Sequence, residues 1–99
     1  MLRTPSSPAD PASRVEAGDP QALALGALGW LLQSESRAER LLALTGLTPD
    51  ALRGGLADPA VLGAVLDFLA AHEPDLVGAA EALGVGPEAL VRAAQGLAR

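Results

Sequence analysis

Apolar residues in this chain fall in blocks with helical spacing, and nowhere do they alternate strictly with polar ones as a half-buried strand requires. The first block, Ala22–Leu32, is an unbroken apolar and small-residue run, too short to span a bilayer and of the length of a buried core helix. Asp19-Pro20 starts it, because an aspartate caps free amides and a proline at the first helical position lacks an amide that would be unsatisfied anyway. This helix is expected to run to about Gln33, with Gly26 and Gly29 leaving room for a neighbouring backbone. Ser36-x-x-Glu39 has the form of a capping box and is expected to open a second helix. There Leu41, Leu42 and Leu44 turn inward while Arg37, Glu39 and Arg40 stay wet. Gly46 suits the left-handed position that ends a helix, and Leu47 the apolar contact after it. Thr48-Pro49 starts a third helix, cut short by Gly54-Gly55.

Asp58-Pro59 repeats the first start signal and opens a fourth helix over residues 59–72. At 100° per residue, Val61, Leu62, Val65, Leu66, Phe68 and Leu69 cover an arc of about 160°, with Asp67 on the far side and His72 on the apolar arc. Pro74 stops that helix. A fifth helix over 74–83 turns Leu76, Ala80 and Leu83 inward and closes at Gly84-Val85. A sixth begins at Gly86-Pro87, with Leu90, Ala94 and Leu97 on one stripe and Glu88, Arg92, Gln95 and Arg99 on the other. Residues 1–18 hold three prolines and three serines without apolar period, and are read as a disordered leader ahead of one helical domain, residues 19–99.

Sliding the chain by 38 residues places Leu28 on Leu66, Trp30 on Phe68, Leu31 on Leu69, Gly46 on Gly84, Pro49 on Pro87 and Leu52 on Leu90. Both halves then read as a long helix, a short helix, a Gly-[Leu/Val]-x-Pro-[Asp/Glu]-Ala-Leu turn and a short helix. The expected fold is all-α, a compact bundle of about six short helices forming two similar three-helix units, residues 19–56 and 57–98.

Composition supports helices over strands. Half the residues are apolar, yet Trp30 and Phe68 are the only aromatics, so the core must be built of Leu, Val and Ala, which favour helix. The net charge is −5, with twelve carboxylates against seven arginines and no lysine. An acidic domain is repelled by nucleic acid and anionic membranes unless its arginines cluster. With no cysteine, disulfides, thiolate catalysis and cysteine-based metal sites are excluded. No basic region precedes an apolar segment as in a secretory signal, so a cytoplasmic location is expected.

The succession of an AlaLeuAlaLeu helix, LeuLeuAlaLeuThrGlyLeuThrProAspAlaLeuArg, AspProAlaValLeuGlyAlaValLeuAspPheLeu and GlyValGlyProGluAlaLeu resembles a family of small uncharacterised bacterial proteins, a domain of unknown function. The resemblance covers about residues 20–98 and is most specific over Leu41–Arg53 and Asp58–Leu69. It implies an all-helical fold and no activity, substrate or site residue.

Candidate chemistry is sparse. Ala80-x-x-Leu83-Gly84-Val85-x-x-x-x-Leu90 is close to a DNA-reading helix-turn-helix, but its reading helix offers only Arg92, Gln95 and Arg99, and Glu88 stands where it can pair with Arg92. A packing corner used twice, at Gly46 and Gly84, accounts for the pattern better. His72 is the lone histidine and has no placed acid-base partner in the sequence. The acids are scattered without an oxygen-ligand loop, and neither a nucleophile motif nor a phosphate-binding glycine loop occurs. No catalytic, cofactor or metal residue is therefore assigned, and no enzyme activity is expected. Residues 57–73 are acidic and free of arginine, so a basic partner could be steered there. Trp30, Phe68 and His72 are the candidate partner contacts. The expected role is a non-enzymatic protein-interaction or regulatory module, possible through self-association, with a helix-turn-helix DNA-binding regulator as the alternative; neither membrane nor cofactor is called for.

Overall fold

Asp19, Thr48 and Asp58 cap three helices as their Asp-Pro and Thr-Pro pairs predict. Asp19 Oδ1 accepts from the amides of Gln21 and Ala22 at 3.0 and 3.3 Å, Thr48 Oγ1 from Ala51 at 3.0 Å, and Asp58 Oδ1 from Ala60 at 2.9 Å. The computed structural model describes residues 19–97. Their regular structure is α1 (Pro20–Leu32), α2 (Glu35–Thr45), α3 (Pro49–Gly54), α4 (Pro59–Ala70), α5 (Glu73–Leu83) and α6 (Pro87–Leu97), with no strand among them. The leader, residues 1–18, and Arg99 lie outside the described residues.

α1 and α4 lie against each other at the centre, and α2, α5 and α6 each touch both of them. The core has the aliphatic character that the composition requires: Leu23, Leu31, Leu41, Leu62, Leu66, Leu69 and Leu90 are fully buried, with alanines at the close helix contacts. Each such leucine contributes roughly 1.5–3 kcal/mol by leaving water.

Three local expectations are corrected. α2 starts one turn's fraction earlier, at Glu35, because Ser34 rather than Ser36 is its cap and accepts from the amide of Arg37. This draws Arg37 into the first turn and over Trp30, so it is half-buried instead of wet. Leu44 does not turn inward; it is 58% exposed, since α2 directs only Leu41 fully into the core. α4 ends at Ala70, and the amides of Ala71 and His72 bond back three residues to Phe68 and Leu69. Pro74 thus serves in the first turn of α5, with His72 at its cap position.

The 38-residue offset carries α2 onto α5 residue for residue and aligns the starts of α3 and α6. The corners after α2 and α5 both use a left-handed glycine, Gly46 at φ 78° and Gly84 at φ 73°. They close differently, however. Val85 N–H reaches Ala80 O and Gly84 N–H reaches Glu81 O, a Schellman closure. In the first half Gly46 N–H bonds Leu42 O, and the amide of Leu47 is intercepted by Thr45 Oγ1 at 3.2 Å, a hydroxyl whose counterpart in the second half is Leu83. The third helices differ more: α6 lies across both α1 and α4, whereas α3 stops at six residues and is held chiefly through buried Leu52.

Candidate functional site

Trp30 projects from α1 into the junction of α2 and α5. The Arg37 guanidinium carbon sits 3.8 Å from the centre of its ring, and Arg37 Nη2 donates to the Trp30 carbonyl at 2.7 Å. The outer edge of the indole lies against Gly78 of α5, so closely that a methyl group there would fall 2.7 Å from Cζ2. The ring is therefore packed within the domain while remaining half-buried. Arg37 Nε is buried without a hydrogen-bond partner, the cost of placing a guanidinium flat on an aromatic face.

Phe68 and His72 come together at the end of α4. Phe68 is buried; the His72 ring stacks on it with centroids 4.6 Å apart and planes at 26°. His72 Nδ1 is 2.8 Å from the Phe68 carbonyl, which can only accept, so Nδ1 donates. Both residues line a hollow of about 330 Å³ with Leu44, Thr45, Ala64 and Asp67. A second hollow, about 450 Å³, lies towards the start of α4 and is lined by Asp58, Ala60, Gly63, Asp67, Ala94 and Leu97. Trp30 is not among the residues of either hollow. Among the described residues no three His, Asp or Glu side chains converge as metal ligands would.

A third concavity, about 270 Å³, opens between α1, α2 and α3. Leu28, Leu32, Leu42, Pro49, Leu52 and Leu56 line it, with Arg53 as the one charged neighbour. Leu32 and Leu56 are 49% and 45% exposed, and Leu25, two turns back from Leu32 along α1, is 39% exposed. This cleft was not singled out from sequence. The signal for it was α1 itself, which has no charged residue on any face although a helix apolar all round requires cover on every side.

The four described arginines have separate surroundings. Arg37 lies on Trp30, Arg40 is 3.2 Å from the Asp75 carboxylate of α5, and Arg53 pairs with Asp50 one turn away. Arg92 on α6 is exposed. Asp75 is the one buried charged residue among the described residues, so its pairing with Arg40 ties α2 to α5.

The chain matches the family described as protein of unknown function (DUF3572) over residues 17–99. It belongs to that family. The match covers all six helices and begins just before the Asp19 cap, so the family's common part is the helical domain described above. Comparison with curated proteins and with solved structures finds no match. No helix among the described residues is long and apolar enough to cross a membrane.

Proposed function

We propose that this DUF3572 member is a small non-enzymatic protein-interaction module acting in the cytoplasm, and that a partner's aliphatic side chains close over the cleft between α1, α2 and α3. The observation that carries this reading is the incomplete cover of α1: Leu32 stands in solvent with Leu56 at a cleft lined almost wholly by aliphatic carbon, and Leu25 is exposed on the same helix. Apolar surface of this kind on a small domain is characteristic of an interaction site. The internal commitments of Arg37, Arg40 and Arg53 favour it over the alternative.

The alternative is DNA reading by α6, for which the Gly84 corner supplies the right turn. It ranks second, because Arg92 alone among the described arginines is left without an internal contact to meet a phosphate or base edge. The matching helix bounds support reading the two halves as copies of one three-helix unit, the second lengthened at α6.

Affinity capture from the native cell tests the leading reading, comparing the chain with its Leu32→Glu/Leu56→Glu variant. Both positions are exposed, so helicity should persist while a specific captured protein is lost. Capture unchanged by the variant, together with a salt-dependent shift of random DNA by the intact chain, would transfer the assignment to nucleic acid.

A further inference from the structure

α4 buries Leu62, Val65, Leu66 and Leu69 inward, and among the described residues no helix covers its opposite face. That face is the floor of a groove. The hollows at its two ends share Ala64 and Asp67, so they run into each other; α6 walls one end with Ala94 and Leu97, and α2 walls the other with Leu44. The floor residues Ala60, Gly63 and Ala64 are small, which permits a second helix to approach at about 8 Å, the close end of the helix-packing range. A methyl group at Gly63 would only reach ordinary contact with Leu97, so the described residues leave space above the floor at that point.

Charge selects the occupant. Apart from His72, Asp58 and Asp67 are the only ionisable side chains lining the groove, and neither is in an ion pair among the described residues. From residue 54 to residue 91 the chain has six carboxylates and no arginine or lysine, and among the described residues only Asp75 of these is in an ion pair, with Arg40. Leu44 and Leu97 supply apolar shoulders on either side. A second copy of this chain fits poorly, because docking the same face on itself brings Asp67 towards its own image. We propose that the groove receives an amphipathic helix of another protein that presents arginine or lysine at its centre. This is a second surface, distinct from the α1–α3 cleft, and it would let one small domain hold two partners.

The spacing makes the idea specific. Asp58 caps α4 and Asp67 follows nine residues later, about 13.5 Å along the axis. Arginines seven apart on a docked helix share a face and lie about 10.5 Å apart, within reach of both carboxylates, whereas arginines five apart point to opposite sides.

The test uses two isomeric 16-residue Ala/Leu helical peptides with arginines seven or five positions apart, titrated into the full chain and followed by amide chemical shifts. The seven-spaced peptide should bind at least about tenfold tighter, shifting Ala60, Gly63, Ala64 and Asp67. Asp58→Asn/Asp67→Asn should abolish that preference; asparagine still caps α4, so the fold persists. Leu32→Glu should leave binding unchanged. Equal binding of the two isomers, or no binding at millimolar peptide, overturns the proposal. So does loss of binding in Leu32→Glu alone, which would move the peptide to the cleft and leave the interaction-module reading standing. Two further results would also overturn it by naming another occupant. One is self-association of the peptide-free chain through the α4 amides; the other is a shift of those amides in Arg3→Glu/Arg14→Glu.

Discussion

Replacing Gly78 by alanine should destabilise the domain when Trp30 is present and stabilise it when the indole is gone. Gly78 lies inside α5, where alanine is favoured over glycine by about 1 kcal/mol. Against this, the new Cβ would stand 2.7 and 2.8 Å from Cζ2 and Cη2 of Trp30. Carbon atoms prefer about 3.5–4.0 Å, so the ring must withdraw by nearly an ångström. The ring is also held by Arg37, 3.8 Å from its centre and itself fixed by the 2.7 Å bond to the Trp30 carbonyl. Overpacking of this kind costs about 1–3 kcal/mol, so Gly78→Ala alone should lose roughly 1 kcal/mol net. In a Trp30→Leu background the two clashing atoms are absent and the same change should gain up to about 1 kcal/mol. The coupling is thus about 2 kcal/mol, well outside the error of a double-mutant cycle. Urea unfolding followed by far-ultraviolet circular dichroism reads it as a midpoint that falls in one background and rises in the other, at constant m. A midpoint that rises in both backgrounds would mean that the indole swings freely into solvent, and would return Trp30 to the candidate partner contacts.

The adjacent glycines after α3 should respond with opposite signs. A methyl group at Gly55 would fall 2.5 Å from Val61 Cγ2 and 2.9 Å from Ala51 O, so Gly55→Ala should cost about 1–3 kcal/mol, while Gly54→Ala meets nothing within 4 Å and should gain a few tenths up to about 1 kcal/mol; thermal midpoints of the two variants check the order. Removing Arg40 strands the buried Asp75 carboxylate, so Arg40→Ala should cost about 1–3 kcal/mol and exceed Asp75→Asn, which leaves a 42%-exposed arginine free to take up water. Equal losses in urea would show that Asp75 is already served by solvent.

Much of the secondary structure was legible because its signals are local. Asp19-Pro20, Thr48-Pro49 and Asp58-Pro59 satisfy amides two or three residues away, and Gly46 and Gly84 take left-handed conformations that other residues avoid. Ser34 and Ser36 illustrate the limit: both can cap, and the choice between them follows from where Arg37 must lie to cover Trp30. The candidate surfaces were less visible. Phe68 and His72 were legible as neighbours one turn apart, but that Asp58 and Asp67 border one groove depends on where α6 and α2 end.

By itself, then, the order of residues determined six helices, the caps of α1, α3 and α4, an aliphatic core and an acidic net charge, since each of these depends on composition or on contacts within a turn or two. The tertiary structure alone decided what each face meets. α1 looks equally apolar on every side, and only the placement of α3, short and lightly held, leaves Leu25 and Leu32 outside. Trp30 could equally have been a free anchor until Gly78, 48 residues away, was found against its ring. Helical periodicity assigns residues to a face, but cover comes from segments distant in sequence, and their docking is settled by the packing of the whole domain.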